Sequence, residues 1–217
     1  MSAGSSAPQR IECYGATRPQ AGSIANEDAF VIEREPVFHA AVFDGAGNAE
    51  QAAHRVARFI KTLIRDQPAR VGDTVAWTGW IKLMDSFLLG GNQSTFVGLA
   101  VPDPKSPAVV GAYSGNSRIY RIGEDGVKII TFEPSPERLG SGRALARTFS
   151  LKLGPYDILL LMSDGAWLPF GSTYRLRKAA MSAVTKHFSE VPQAVLDAAM
   201  MPGGPGDDMT VVAIRIR

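Results

Sequence analysis

The stretch VFHAAVFDGAG (residues 37–47) runs almost wholly apolar to Phe43 and then breaks at Asp44-Gly45. A half-exposed strand alternates polar and apolar side chains, so a run apolar on both faces belongs inside a sheet that is covered on both sides. A carboxylate at the mouth of such a strand is poorly placed unless it caps a turn or meets a cation. The design recurs in LLLMSDGAW (159–167), where Asp164 ends the run and Gly165 lets the chain turn sharply. It recurs inverted in PGDDMTVVAIRIR (205–217), where Asp207 and Asp208 precede the last apolar run, and a fourth acidic turn, NEDAF (26–30), leads into another strand. Singly, an Asp-Gly pair is ordinary turn chemistry. Four acidic turns at strand mouths are harder to explain that way, because gathered carboxylates repel and raise one another's pKa values unless something positive lies between them. Mg²⁺ and Mn²⁺, which prefer oxygen ligands, answer that need.

Outward from these stretches, strands are predicted at 11–15, 29–33, 37–43, 94–101, 108–114, 118–122, 127–132, 157–163 and 210–216, all short and rich in Val, Ile and Phe. Turns such as Gly115-Asn116 and GEDG (123–126) predict hairpins and mainly antiparallel pairing. A helix is predicted from Asn48, with Asn48 as N-cap, Gln51 completing a capping box, and Ala53, Val56, Ala57, Ile60 and Ile64 on one face. A second, from Thr74 to Leu89, carries Trp77, Ile81, Met84 and Leu88 on one stripe and stops at Gly90-Gly91. Two more are expected at 178–188 and 193–200. Strands interrupted by helix pairs, without internal repeat, give the class α+β, a sheet core covered by helices.

The chain of 217 residues is long enough for one substantial core and reads as a single domain over 11–217 behind a flexible tail, residues 1–10. That tail lacks the apolar centre of a signal peptide, and no apolar stretch approaches bilayer length. A net charge of +2 without a basic block calls for neither nucleic acid nor an anionic membrane surface. Cys13, the one cysteine, cannot form an intramolecular disulfide and is expected to pack in the first strand. The expected setting is the cytoplasm and the expected state a monomer. His39, His54 and His187 lie on separate elements and offer no competing metal site.

Six stretches now stand in order: NEDAF, AAVFDGAG, QSTFVGLAV, AYSGNSRIY, LLLMSDGAW and GDDMTVVAI. Their order and approximate spacing resemble the metal-dependent protein Ser/Thr phosphatases of type 2C, bacterial branch, over roughly residues 11–217. The resemblance implies a four-layer αββα sandwich, two antiparallel sheets face to face with helix pairs outside, and a centre for two Mn²⁺ or Mg²⁺ ions between the sheet edges. It implies that Asp44 bridges both ions and Gly45 lends its carbonyl, that Asp164 and Asp207 complete one ion, and that Glu27 and Asp28 hold the second directly or through water. The implied reaction is hydrolysis of Ser/Thr phosphomonoesters on partner proteins by a metal-activated water. Cys13 sits in no Cys-x₅-Arg loop, which argues against a cysteine-dependent route.

Departures from the family pattern carry information too. Ser23 stands where many members have an arginine that grips the substrate phosphate, and Arg18 or Arg147 is the candidate replacement. Asn116 and Leu168 replace two acids, so a third ion is expected to be weakly held or absent. The familiar Asp-Asn before the last strand is Asp207-Asp208 here. Residues 132–149 stand where the family carries a mobile flap, here expected to be short and basic. An enzyme is therefore expected, with a catalytically weak or inactive phosphatase-like binding module as the alternative.

Overall fold

The computed structural model describes residues 9–46, 51–133 and 136–217. Strands β1 (Ile11–Arg18), β2 (Ala29–Glu33), β3 (His39–Phe43) and the short β4 (Gly45–Ala46) are followed by helices α1 (Ala52–Asp66) and α2 (Thr74–Leu88). Then come β5 (Gln93–Ser94), β6 (Phe96–Ala100), β7 (Ala108–Ser114), β8 (Arg118–Gly123), β9 (Gly126–Ile129), β10 (Arg147–Lys152) and β11 (Ile158–Met162). The chain closes with α3 (Asp164–Trp167), α4 (Thr173–Val184), α5 (Val191–Ala199) and β12 (Met209–Ile216). One five-stranded sheet runs β1-β12-β11-β8-β9, the other β10-β7-β6-β3-β2, every pairing antiparallel.

The period-2 geometry of a strand explains why the central runs are apolar throughout. In β3, Ala41 and Phe43 face α1 and α2, while Ala40 and Val42 face the other sheet. In β11, Leu160 and Met162 face α4 and α5, while Leu159 and Leu161 face inward. The strand β12 divides in the same way, Val211 and Ala213 outward, Val212 and Ile214 inward. Three apolar layers between four layers of secondary structure result, which is the αββα sandwich. Cys13 lies buried in the middle layer, where burial pushes its thiol up to about 12.

The helices are as amphipathic as the spacing predicts. Val56, Ile60 and Ile64 of α1 and Trp77, Ile81, Met84 and Leu88 of α2 are buried together. The Trp77 indole N–H donates to the Val71 carbonyl at 2.8 Å, so the largest side chain of this layer leaves no polar atom unpaired. Asp73 caps α2, its side chain accepting from the Val75 N–H at 2.8 Å. On the exposed side of α2, a Cβ added at Gly79 meets nothing within 4 Å. Gly79→Ala should therefore stabilise the protein by about 0.5–1 kcal/mol, read as a rise in urea midpoint at unchanged slope.

Several expectations are corrected. The turn at Gly115-Asn116 does not close a hairpin: β7 and β8 lie in different sheets, and the chain crosses between them there. Its GEDG counterpart does join β8 to β9 as a hairpin. α1 begins at Ala52 with Gln51 as its N-cap, which makes no side-chain cap bond, and the expected cap Asn48 lies outside the described residues. Residues 94–101 split into β5 and β6, because Ser94 pairs with Gly45 on a separate two-stranded ribbon. The end of the expected flap is strand: β10 pairs along β7 from Arg147↔Tyr113 to Lys152↔Ala108. The third predicted helix, expected at 178–188, starts earlier, at Thr173, capped by Ser172 accepting from the Arg175 N–H, and ends at Val184. Of the expected tail, Gln9 and Arg10 already bond to Pro104 and Arg217 through the backbone, and the rest lies outside the described residues. Among the described residues no helix is long and apolar enough to cross a membrane.

Candidate active site

Antiparallel register brings the acidic turns together in pairs. Ala29 opposes Phe43, so Asp28 enters β2 beside the point where Asp44 leaves β3. Met162 opposes Val211, so Asp164, just beyond β11, stands beside the Asp207-Asp208 entry to β12. Each sheet thus presents two acidic mouths, and the coupling of Asp44 to both Asp28 and Asp164 joins the two pairs across the sandwich. The glycines make that close approach feasible. A Cβ on Gly45 would sit 2.6 Å from the Glu27 carbonyl oxygen, and one on Gly165 only 2.1 Å from that of Asp208.

A hydroxyl-lined frame holds these turns. Thr95 accepts the Asp44 N–H at 3.2 Å with its Oγ1 and donates its own N–H to the Asp44 carbonyl at 2.8 Å; its hydroxyl meets that of Ser117 at 2.6 Å. On the other sheet, Thr210 donates its N–H to Ser163 Oγ at 2.9 Å, and Ser163 returns an N–H to the Thr210 carbonyl. Asn26 accepts the Asp28 N–H at 3.0 Å and donates to Thr17 Oγ1 at 2.8 Å. Asp208 answers the question of the paired carboxylates. It is buried, and its two oxygens accept the N–H of Gln20 at 2.6 Å and of Glu27 at 2.5 Å, so it ties the NEDAF turn to the last strand. Asp207 alone of the pair stays open at the rim.

The electrostatics are those of crowded, dehydrated acids. Burial, and then the neighbouring Asp164 and Asp28, pushes Asp44 up to about 9, with Arg138 opposing. Burial pushes Asp28 up to about 7 against the help of Ser163 and Thr210 hydroxyls, with Asp208 and Asp207 adding to the rise. Asp207 is also raised, first by partial desolvation and then by Asp164 and Asp208, while Arg138 pulls it back. One oxygen each of Asp28 and Asp44 is buried without a hydrogen-bond donor. Orphaned carboxylate oxygens of this kind fit a hard divalent cation, which takes oxygen ligands and relieves the repulsion. The fit is one of charge and donor type: among the described residues no three His, Cys, Asp or Glu side chains already close around a single point.

The family model described as Stage II sporulation protein E (SpoIIE) matches residues 36–217. The chain belongs to the SpoIIE family. No curated protein sequence matches it. Among solved structures, a bacterial serine phosphatase is 19% identical with a TM-score of 0.80, covering 96% of this chain and 98% of that one. The catalytic domain of the phosphatase PstP, solved with two manganese ions, is 17% identical with a TM-score of 0.76, covering 95% and 98%. The type 2C phosphatase domain of SpoIIE from Bacillus subtilis, solved with a fragment of its regulatory domain, is 18% identical with a TM-score of 0.75 and matches 96% of this chain but 64% of that one. The fold is that of the type 2C phosphatases.

Within this SpoIIE-family chain the predicted phosphate arginines are engaged elsewhere. Arg18 pairs with Asp197 of α5 at 2.9 Å. Arg147, at the start of edge strand β10, pairs with Glu133. The cation that acts on Asp44 and Asp207 is Arg138, from the same basic stretch. Ser23 is exposed and bonds the Ala25 carbonyl. Asn116, at a position where the family has an acid, donates its amide to Asp164 Oδ2 at 2.7 Å, so it steadies this carboxylate instead of adding a charge. Trp167 donates to the Asn116 carbonyl at 3.2 Å, and Arg118 stacks on the Trp167 ring at 3.5 Å, backing that turn. Leu168 is exposed and supplies no ligand. Thr95, Ser163, Thr210 and Asp208 went unforeseen as frame residues, although each lies within a stretch already singled out.

Proposed function

We propose that this SpoIIE-family chain is a metal-dependent phosphoprotein phosphatase hydrolysing phosphoserine and phosphothreonine esters. The observation that carries the reading is the convergence of Asp28, Asp44, Asp164 and Asp207, two of them buried with donorless oxygens. Asp44, Asp164, Asp207, Glu27, Asp28 and the Gly45 carbonyl would hold two Mn²⁺ or Mg²⁺ ions, with no third. Divalent ions held there supply Lewis acidity, lowering the pKa of water for attack on phosphorus and offsetting charge on the phosphoryl oxygens. The residues of the chain set the stage: Thr95 and Ser117 fix the Asp44 turn, Asn116 orients Asp164, and Asp208 clamps the backbone that carries Glu27. Asp44 must give up its proton on loading, so Mn²⁺ affinity should rise with pH. A buried Cys13, its thiol pushed up to about 12, is unsuited to act as nucleophile, and no covalent intermediate is needed. We further read residues 11–217 as one catalytic domain, a monomer of the cytoplasm.

A second reading, a phosphatase-like binding module without efficient turnover, draws on Ser23 and Asn116 at positions where the family has an arginine and an acid. Hydrolysis of a phosphothreonine peptide with Mn²⁺, Mg²⁺ or EDTA separates the two. The phosphatase reading expects turnover that EDTA abolishes and that Asp164→Ala reduces more than about 100-fold. Mn²⁺ binding without turnover would establish the binding module instead.

A further inference from the structure

The stretch around Arg138 is built as a rigid arm. Asp85, buried on α2, accepts three backbone N–H groups at once, from Gly140 at 2.7 Å, Gly142 at 3.0 Å and Ala144 at 3.1 Å. A carboxylate with three donors inside an otherwise apolar helix face is a strong anchor, since charge-assisted bonds exceed neutral ones and a buried acid without them is costly. Leu139 is wholly buried with α1 and α2, and it exchanges both backbone hydrogen bonds with Ser94, at 3.1 and 2.8 Å. Ser94 in turn pairs with Gly45, the residue after Asp44. The chain of contacts Asp85, Leu139, Ser94, Gly45 therefore fixes the backbone next to Arg138 relative to the acidic centre. The Arg138 carbonyl accepts the Ser141 N–H at 3.2 Å, closing the turn behind it, and Arg138, its side chain half-buried, directly precedes the Leu139–Ser94 bridge that adjoins Gly45. Residues 138–144 are thus tied to α2 and to the β4–β5 ribbon by hydrogen bonds.

We infer that Arg138, held by Asp85, is the phosphate-receiving cation of this site, in place of the arginine absent at Ser23. The inference rests on the phosphatase reading for its substrate and on the Asp85 anchor for its geometry. A phosphate dianion approaching four clustered carboxylates needs a cation on its own side, and a planar guanidinium offers it two parallel N–H donors. The two other arginines considered for this role are engaged, Arg18 with Asp197 and Arg147 with Glu133. Asp85 acts through the loop and is a positioning residue.

The test uses the full chain and two ligands with opposite charge. Arg138→Ala should raise KM for a phosphothreonine peptide about 10–100-fold, weaken inorganic phosphate binding to the Mn²⁺-loaded protein comparably, and tighten Mn²⁺ binding to the free protein, because a like charge has gone. Arg138→Lys should fall between, and Arg143→Ala on the same loop should match the wild type. Asp85→Asn should raise KM while the folded fraction keeps its kcat; a merely structural loss would lower apparent kcat and leave KM in place. Unchanged KM and unchanged phosphate binding in Arg138→Ala would overturn the proposal, as would tighter Mn²⁺ binding with no loss of phosphate, which would make Arg138 a charge balancer only. If the wild type turns over nothing, the phosphatase reading fails by itself, and phosphate binding by calorimetry still decides whether Arg138 receives the anion.

Discussion

Replacing Asp44 by Asn should abolish metal-dependent turnover and yet make the metal-free protein more stable. Asp44 lies at the meeting point of the two acidic pairs, buried at 7% exposure, and burial with its acidic neighbours carries it from 3.8 to about 9. An acid whose folded pKa is raised binds more protons in the folded state than in the unfolded one. Its stabilising share is complete below about pH 4 and is lost as pH climbs from there toward 9. Asn carries no such liability. In EDTA the two proteins should melt nearly together at pH 4, and by pH 8 the variant should lead by about 2 kcal/mol, roughly 4–8 °C in Tm for a chain of this size. Saturating Mn²⁺ should stabilise the wild type and leave the variant where it was. A variant that melts below the wild type at pH 8 in EDTA would mean that Asp44 is structurally satisfied without a cation, contrary to its donorless oxygen.

The second large effect belongs to Gly165→Ala. The added methyl carbon would lie 2.1 Å from the Asp208 carbonyl oxygen and 3.1 Å from the Asp207 Cβ, and both neighbours are held by β12. Neither can retreat without breaking the Ser163–Thr210 pair or the Asp208 bonds to Gln20 and Glu27. We expect a loss of about 3–5 kcal/mol in denaturant unfolding, together with Mn²⁺ affinity too weak to detect by calorimetry. Retained affinity at lowered stability would show that the Asp207 turn can shift while still presenting its ligand.

Both predictions show where the sequence was legible. Runs such as ILLLM and HAAVF, apolar on both faces, announced sheets covered on each side, and the Asp-Gly breaks marked the mouths that converge. The helices were read from their 3.6-residue stripes, down to the buried members of α1 and α2. What local pattern could not convey is pairing over long distance. Gly115-Asn116 has the chemistry of a hairpin, yet the chain passes there from one sheet to the other, and no neighbouring residue signals the change of layer. Strand β10 alternates half-buried and exposed residues at a sheet edge, so RTFSLK resembles the loop before it. Asp208 and Asp207 are indistinguishable as letters; the partners at Gln20 and Glu27, some 180 residues away, divide a buried strut from an open rim carboxylate. Likewise the choice among Arg138, Arg143 and Arg147 depended on an aspartate in a helix 53 residues before the first of them, Asp85.

The strand β12 lies between β1 and β11, so residues 209–216 are inserted between a strand far earlier in the chain and one much nearer to them. On the ribosome, β1 must wait with its edge unpaired until residues 209–216 emerge, a demand typical of folds rich in non-local contacts. Asp207 and the Asp208 strut arrive with that same segment. A chain cut before residue 207 therefore lacks part of the sheet and part of the acidic centre together.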